Sequence, residues 1–259
     1  MKEKVSIVKI GGNLIENENA LNTFSADFAA LKGPKILVHG GGKLATQLAD
    51  KMGVETKMVD GRRITDAETL KIITMVYGGL VNKTIVAKLQ AHNCNAVGLS
   101  GADLNLIESV QRPVKEFAFG FVGDVEKVND KMLSLLLNNN ISPVCCAITH
   151  DKKGQLFNTN ADTIASEIAI SLSKDFETHL YYCFEKNGVL KDINDENSVI
   201  KYIDSQSYKQ LLEDKIIADG MLPKLHNCFY ALERNVAQVH IGSIHMIKKE
   251  HSLKTTITL

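Results

Sequence analysis

Short apolar runs that break into glycines alternate with longer amphipathic runs along this chain. The run VSIVKI (residues 5–10) precedes Gly11 and Gly12, and the run KILVH (residues 35–39) precedes three more glycines. Apolar residues then recur near helical spacing in the segments that follow. Strands that alternate with helices predict an α/β protein, in which helices cover both faces of a mainly parallel sheet.

The overall charge of the chain is balanced, since its 30 lysines and arginines equal its 30 aspartates and glutamates. A neutral chain has no general attraction for nucleic acid or for an anionic membrane surface, so neither is expected as a partner. A site that binds anions must therefore collect its positive charge locally.

Hydropathy and cysteine usage indicate the compartment. No apolar run approaches the roughly 20 residues that span a bilayer, and the N-terminus lacks the pattern of a signal peptide, so no membrane segment is expected. The five cysteines form no C-x-x-C pair and have no histidine at a metal-ligand spacing. Free thiols in a reducing compartment are predicted, which places the protein in the cytoplasm.

Lys9 lies near the point where the first predicted strand breaks into glycines. The carboxyl ends of parallel strands share one edge of a sheet, and ligands bind at that edge. Glycine lets backbone N–H groups approach an anion, and the N-terminus of a following helix adds positive charge. Lys9 is thus either a phosphate-binding residue or a lysine whose stem is buried at a strand end.

A second glycine motif favours a different ligand. HGGGKLA (residues 39–45) matches the dinucleotide pattern G-x-G-x-x-A, and Asp60 lies about 20 residues beyond Gly40. A dehydrogenase that binds NAD is therefore one alternative, but this interpretation leaves Lys9 without a role. A Walker-type loop, G-x-x-x-x-G-K-[ST], does not occur in the chain.

Two other segments carry cations. GRRIT places Arg62 and Arg63 in a predicted polar turn ahead of a helix, and arginine binds carboxylates through paired N–H groups. DGMLPK supplies Lys224 in a segment shaped by glycine and proline. Either arginine, taken alone, is better read as a solvated surface residue, and the alternative for Lys224 is a plain surface lysine.

FNTNAD places Asn158, Asn160 and Asp162 at alternate positions before a helical run. Asparagine and aspartate commonly cap helices. If the segment is extended, the alternation also directs all three side chains to one side. The segment is therefore a candidate both for a helix cap and for a binding site.

Together these motifs resemble those of the acetylglutamate kinases, a branch of the amino acid kinase family. The matching segments are VKIGGN, VHGGGK, GRRIT, VGLSGAD, FVGDV, NTNAD, NGVL and DGMLPK, in this order. The resemblance runs from residue 5 to the end of the chain, where TTITL is similar to the family's closing strand.

The resemblance implies a three-layer α/β/α sandwich around a central, mainly parallel sheet. Residues 1–174 would form an N-terminal lobe that binds the acylated amino acid and dimerises, and residues 175–259 a C-terminal lobe that binds the nucleotide. The implied reaction transfers the γ-phosphoryl group of ATP to the side-chain carboxylate of N-acetyl-L-glutamate, in arginine synthesis. Mg²⁺ would be carried by ATP, with no metal ligands from the protein.

The resemblance also implies a catalytic centre. Lys9 would contact the transferring phosphoryl group. Lys224 would be the second catalytic lysine, on the nucleotide side of the site. Asp162 would orient both lysines. The backbone N–H groups of Gly12 and Gly42 would face the phosphoryl oxygens.

Further residues are implied for substrate binding. The acyl-amino-acid contacts would be Gly41, Gly42, Arg63 and Asn158, with Arg63 on the α-carboxylate. Two segments would line the nucleotide: Glu185, Lys186, Asn187, Gly188, Val189 and Leu190, followed by Ile216, Ile217 and Ala218.

The chain departs from the family at several points. Phe184, Glu185 and Lys186 replace a small polar residue, an aspartate and a valine, and Leu104 follows Asp103 where the family often has glycine. Relatives that arginine inhibits carry an additional N-terminal helix, for which Lys9 comes too early. An arginine-insensitive homodimer is expected, with the helix around residues 68–89 contributing to its contact.

Several alternatives stay open from the sequence. N-succinyl-L-glutamate would need few changes in the acyl pocket. A carbamate, aspartate or uridylate kinase would share the fold, although GRRIT and NTNAD favour the acetylglutamate branch. A binding protein without activity could also keep the fold, but the presence of Lys9, Asp162 and Lys224 argues against it.

Overall fold

A central β-sheet organises the fold. The structure, a computed structural model, describes residues 2–59, 61–192, 194–214, 216–217, 221–248 and 253–259. Within these residues the sheet has eight strands, which are, in spatial order, β12 (Tyr202–Ile203), β14 (Thr255–Ile257), β13 (Gln238–Gly242), β11 (Glu177–Cys183), β1 (Lys4–Ile10), β2 (Lys35–His39), β8 (Ser142–Cys146) and β5 (Ala96–Leu99). Neighbouring strands are parallel except for β13 and β14. The prediction of a mainly parallel sheet is confirmed.

The strand that carries Lys9 lies inside this sheet. β1 pairs with β2 on one side and with β11 on the other. Val5, Ile7, Val8 and Ile10 are fully buried, so apolar side chains leave both faces of the strand. A strand buried on both faces favours such β-branched residues. Lys9 is therefore held at a fixed place by the most buried part of the fold.

Helices cover both faces of the sheet. One face is covered by α6 (Asp130–Asn138), α7 (Ala161–Leu172) and α9 (Leu222–Leu232), and the other by α2 (Glu18–Ala30) and α5 (Asn82–Ala91). The described residues also form α1 (Gly12–Glu16), α3 (Gly42–Lys51), α4 (Ala67–Ile73), α8 (Ser205–Glu213) and two short 3₁₀ helices, Asp103–Asn105 and Ile244–Ile247. The predicted three-layer α/β/α sandwich is confirmed.

Shorter strands form a second sheet of β10 (Leu156–Asn158), β9 (Ile148–His150), β6 (Ile107–Gln111) and β7 (Gly123–Val128), in that order. β6 and β7 pair antiparallel, from Ile107 with Val128 to Gln111 with Gly123. Gly123 begins β7, and the irregularity of this pairing lies between Glu108 and Ser109. A Cβ at Gly123 would lie 2.8 Å from the side chain of Phe157, so close packing requires this glycine.

A two-stranded ribbon carries the arginines of GRRIT. β3 (Met58–Val59) pairs antiparallel with β4 (Arg62–Arg63). The sequence predicted a turn here, and the structure instead places Arg62 and Arg63 on the second strand of a hairpin.

The long helical region consists of α4, a π-helical segment (Thr74–Val81) and α5. This stretch, Ala67–Ala91, spans 25 residues, and an 18-residue window within it has a mean hydropathy of 1.3, so by length and composition it would suffice to cross a membrane. A buried core helix passes the same test. Ile73, Val76, Ile85 and Leu89 of this helix are packed in the core.

A buried polar network fixes the end of β2 beneath the glycine loop. His39 Nδ1 donates to the carbonyl oxygen of Gly40 (2.7 Å), and His39 Nε2 accepts from Asn82 Nδ2 (3.0 Å). Asn82 Nδ2 also donates to the carbonyl oxygen of Val144 (2.9 Å). Gly98 lies within β5, where a Cβ would collide with the Asn82 side chain. The network therefore joins β2, β5, β8 and α5.

We predict that Asn82→Ala lowers the free energy of unfolding by about 2 kcal/mol. The substitution leaves His39 Nε2 and the Val144 carbonyl buried without their partner, and unsatisfied buried polar groups are costly. Urea denaturation measures the loss. Asn19→Ala on the exposed side of α2 is the matched control and should change little. An unfolding midpoint equal to that of the wild type would contradict the role assigned to Asn82.

Two buried histidines make the fold sensitive to acid. Burial lowers the pKa of His39 to about 4 and, with the charge of Lys254, that of His240 to about 3. At pH 5 the unfolded chain protonates both, but the folded chain keeps them neutral. We therefore predict that stability declines as the pH falls below about 6.5, by about 2 kcal/mol for each histidine at pH 5.

Urea denaturation at pH 7.5 and pH 5 measures this loss. His240 stacks on Tyr181 with ring centroids 4.6 Å apart, so His240→Phe keeps an aromatic ring there but removes one titrating group. The variant should lose less stability than the wild type between the two pH values. Equal losses in the two proteins would exclude His240 as a source of the pH dependence.

Candidate active site

A large cleft opens where β1 and β2 end. Its volume is about 1140 Å³, and its wall includes Gly11, Gly12 and the three glycines at 40–42. The cleft thus lies at the carboxyl edge of the parallel sheet, where the sequence predicted a ligand site. Of the predicted site residues, those that line it are Lys9, Gly12, Gly41, Gly42, Arg63, Asn158, Asp162 and Lys224.

The charges of the cleft differ from those of the whole chain. Among the described residues, six cationic side chains line it, namely Lys9, Arg62, Arg63, Arg112, Lys115 and Lys224. Three anionic side chains do so, namely Glu116, Asp124 and Asp162. In a chain with no net charge, this excess makes the cleft an anion-binding region.

Lys9 forms an ion pair with Asp162, in which Lys9 Nζ lies 2.9 Å from Asp162 Oδ1. The lysine side chain is 17% exposed and that of the aspartate 25%. Lys9 comes from the penultimate position of β1, and Asp162 from the first turn of α7, where the helix dipole stabilises a carboxylate. The pair therefore connects the centre of the sheet to the start of a helix.

The NTNAD segment acts both as a cap and as part of the cleft. Asn160 caps α7, because its side chain accepts hydrogen bonds from the N–H groups of Asp162 (2.7 Å) and Thr163 (3.1 Å). Asn158 donates to Thr65 Oγ1 (3.0 Å). All three alternate side chains of this segment belong to residues that line the cleft. The segment thus both caps α7 and forms part of the cleft wall.

Arg63 is held in place by neutral groups. Its Nη2 donates to the carbonyl oxygen of Gly42 (2.9 Å) and to Thr46 Oγ1 (2.8 Å), and its Nη1 donates to Thr56 Oγ1 (3.1 Å). These partners fix the guanidinium group without cancelling its charge. Its remaining N–H groups can therefore bind an anionic ligand.

Tyr77, which the sequence did not predict, supports the glycine loop. It lies in the π-helical segment and is 6% exposed. Its ring reaches Gly41 so closely that a Cβ there would lie 2.9 Å from Tyr77 Cδ1. Its hydroxyl lies 3.7 Å from the Cβ position of Gly42, which begins α3. The close packing explains the need for glycine in the loop.

Tyr182 supports the start of α7 from beneath. Its hydroxyl donates to the carbonyl oxygen of Asp162 (3.2 Å) and shares a hydrogen bond with Ser166 Oγ (2.5 Å). Burial raises the pKa of Tyr182 well above its usual value, so the hydroxyl stays protonated. Tyr182 belongs to an apolar strand run, and only its position opposite Lys9 in β11 would have identified it.

A smaller pocket continues from the cleft toward the other lysine. Its volume is about 20 Å³, and its lining residues are Lys9, Asp162, Tyr182, Cys183, Phe184, Lys224 and Asn227. Lys224 Nζ lies 4.5 Å from the centroid of the Phe184 ring. Lys9, Asp162 and Lys224 are thus brought together, although the ion pair that the structure describes for Asp162 is the one with Lys9.

One of the two segments expected to line a nucleotide begins next to this pocket. Residues 185–190 follow β11 and Phe184, and Gly188 packs so tightly that a Cβ would lie 2.7 Å from Thr255 Oγ1. Ile217 is buried in the core, and Ala218 lies outside the described residues. Among the described residues of these segments, none lines either pocket.

Known proteins resemble this chain over most of its length. The model of the amino acid kinase family matches residues 4–243. An acetylglutamate kinase of Phocaeicola vulgatus is 57% identical over 93% of this chain and 94% of its own length. One of Bacteroides fragilis is 54% identical over 93% of this chain and 92% of its own length.

A solved structure agrees in fold. A carbamate kinase of Giardia is 14% identical, with a TM-score of 0.69 over 99% of both chains. At this identity the likeness concerns the fold alone. From the extent of the family match and the high identity to the two kinases, we conclude that the chain belongs to the amino acid kinase family.

Proposed function

We propose that this protein is an acetylglutamate kinase. It transfers the γ-phosphoryl group of ATP to the side-chain carboxylate of N-acetyl-L-glutamate, and the acyl phosphate serves arginine biosynthesis. The observation that carries the proposal is the Lys9–Asp162 ion pair at the glycine edge of a cationic cleft. The names of the relatives at 57% and 54% identity support it.

The cleft residues suit phosphoryl transfer to a carboxylate. The acceptor is already ionised near pH 7, so the reaction needs no general base. The reaction needs the carboxylate and the γ-phosphate to be aligned despite their repulsion, and it needs the negative charge of a loose transition state to be stabilised. We assign that role to Lys9, Lys224 and the N–H groups of Gly12 and Gly42, while Asp162 fixes the direction of Lys9.

The acyl amino acid would bind beside the hairpin of β3 and β4. Arg63 would bind the α-carboxylate, because its guanidinium is held by neutral groups and keeps its charge. Asn158 and the backbone of Gly41 and Gly42 would complete this part of the site. Residues 1–174 form the lobe to which these contacts belong.

The nucleotide would bind to the lobe formed by residues 175–259. We keep Glu185–Leu190 and Ile216–Ala218 as its proposed lining, since residues 185–190 begin next to the pocket of Lys224. Mg²⁺ would be held by the phosphates of ATP, as is common for this ion. It would neutralise phosphate charge during transfer.

The proposal includes a homodimer in the cytoplasm. The helical stretch Ala67–Ala91 exposes Met75 (49%) and Leu80 (61%), and this apolar surface would form part of the contact between subunits. The five cysteines are free and buried, which fits a reducing compartment.

We predict that Lys9→Ala and Lys224→Ala each lower kcat about 100-fold. Each substitution removes a lysine charge that would stabilise the transferring phosphoryl group, and this costs about 3 kcal/mol in transition-state stabilisation. Steady-state kinetics measures the effect, and thermal unfolding establishes that the variants are folded. Lys51→Ala on the exposed end of α3 is the control and should keep wild-type kcat. A folded Lys9→Ala enzyme with near-normal turnover would refute the role of Lys9.

The activity itself is tested by trapping the product with hydroxylamine, which converts acyl phosphates to coloured hydroxamates. We expect turnover with ATP, Mg²⁺ and N-acetyl-L-glutamate, and none with free L-glutamate. N-succinyl-L-glutamate is assayed in parallel, and a preference for it would change the acyl group but keep the reaction. The absence of product from all three compounds would refute the proposed function.

A further inference from the structure

We propose that Phe184 is a positioning residue for phosphoryl transfer, whose ring holds the ammonium group of Lys224 at the cleft through a cation–π contact. The inference rests on the proposed function for its catalytic meaning. It begins from one distance, the 4.5 Å between Lys224 Nζ and the centroid of the Phe184 ring. This distance lies well inside the range in which an aromatic face attracts a cation.

The position of Lys224 calls for such a partner. Lys224 is the third residue of α9, and the first turn of a helix carries positive partial charge that repels a cation. This first turn contains no acidic residue. Within the described part of the chain, Lys224 forms no ion pair, whereas Lys9 has the carboxylate of Asp162. The negative face of the Phe184 ring thus offsets an unfavourable placement.

Phe184 is itself fixed by the sheet. It directly follows β11, and its N–H donates to the carbonyl oxygen of Gly242 (2.9 Å), which prolongs the pairing with β13. Its side chain is half-buried and packs against the hydrophobic core. The ring is therefore a rigid surface, while the lysine that it meets has a flexible stem. A rigid surface can restrict the positions that the ammonium group of Lys224 occupies.

The chemistry of the contact suits a catalytic lysine. A carboxylate partner would neutralise Lys224 and compete with phosphate for it. An aromatic face attracts the cation more weakly and leaves its charge available. Both residues line the small pocket that also includes Lys9 and Asp162, so the contact holds Lys224 beside the ion pair. Lys224 can then move to a phosphate group without breaking an ion pair.

Kinetics of two Phe184 variants test the proposal. Phe184→Leu keeps apolar bulk but removes the ring, and we expect kcat to fall about fivefold with little change in the KM of N-acetyl-L-glutamate. Phe184→Tyr keeps an aromatic face and should retain wild-type kcat. Phe229→Leu is the control, because Phe229 lies on the same helix but pairs with Tyr208, with ring centroids 4.7 Å apart. It should leave kcat unchanged.

A double variant shows whether Phe184 acts through Lys224. In the Lys224→Ala background, Phe184→Leu should cause no further loss of kcat, since the group that it positions is gone. A full fivefold loss in that background would overturn the proposal. So would a Phe184→Leu enzyme with wild-type kcat, or one in which only the KM of ATP rises, because that pattern belongs to a contact with the nucleotide.

A measurement that needs no turnover separates this inference from the proposed function. Acetic anhydride labels lysines, and mass spectrometry gives the labelling rate of Lys224 relative to that of exposed Lys51. The ring covers and restrains the amine, so we expect Lys224 to be labelled about fivefold faster in Phe184→Leu than in the wild type or Phe184→Tyr. Equal rates would overturn the positioning role. A wild type without kinase activity would instead count against the proposed function.

Discussion

The ion pair between Lys9 and Asp162 is the interaction on which the site depends. It joins the end of the strand inside the sheet to the first turn of α7. Because both side chains are largely buried, each would be costly without the other. Asn160 and Tyr182 hold the aspartate's helix start by hydrogen bonds to its N–H and carbonyl groups. The position of the lysine is thus determined by the sheet and that of its partner by the helix.

The side chains beneath the glycine loop are uncharged, so the charged groups of this region are those that line the cleft. Burial lowers the pKa of His39 to about 4, so it is uncharged at neutral pH and serves only as a hydrogen-bonding support. Asn82 Nδ2 donates a hydrogen bond to His39 Nε2, and the Tyr77 ring packs against Gly41. The loop can therefore present backbone N–H groups to an anion from a support of uncharged side chains.

Much of this arrangement could be predicted from the sequence, and the remainder could not for identifiable reasons. The alternation of apolar runs and glycines predicted the sheet, its edge and the place of Lys9, and NTNAD predicted three side chains in one cleft. The role of Tyr77 was not predicted, because the π-helical segment departs from the 3.6-residue period that identifies a helix. The need for glycine at position 98 could not be predicted, because it comes from Asn82, which is distant in sequence.

The three principal cations of the cleft are held in three different ways, and the difference bears on their chemistry. Lys9 meets a carboxylate, Arg63 meets a carbonyl and two hydroxyls, and Lys224 meets an aromatic ring. Only the first of these partners is itself charged. Two cations thus keep their charge for ligands, in a region where positive side chains already outnumber negative ones six to three among the described residues. A reaction that joins a carboxylate to a phosphate needs such an excess, because its two substrates repel each other until the protein supplies the opposing charge.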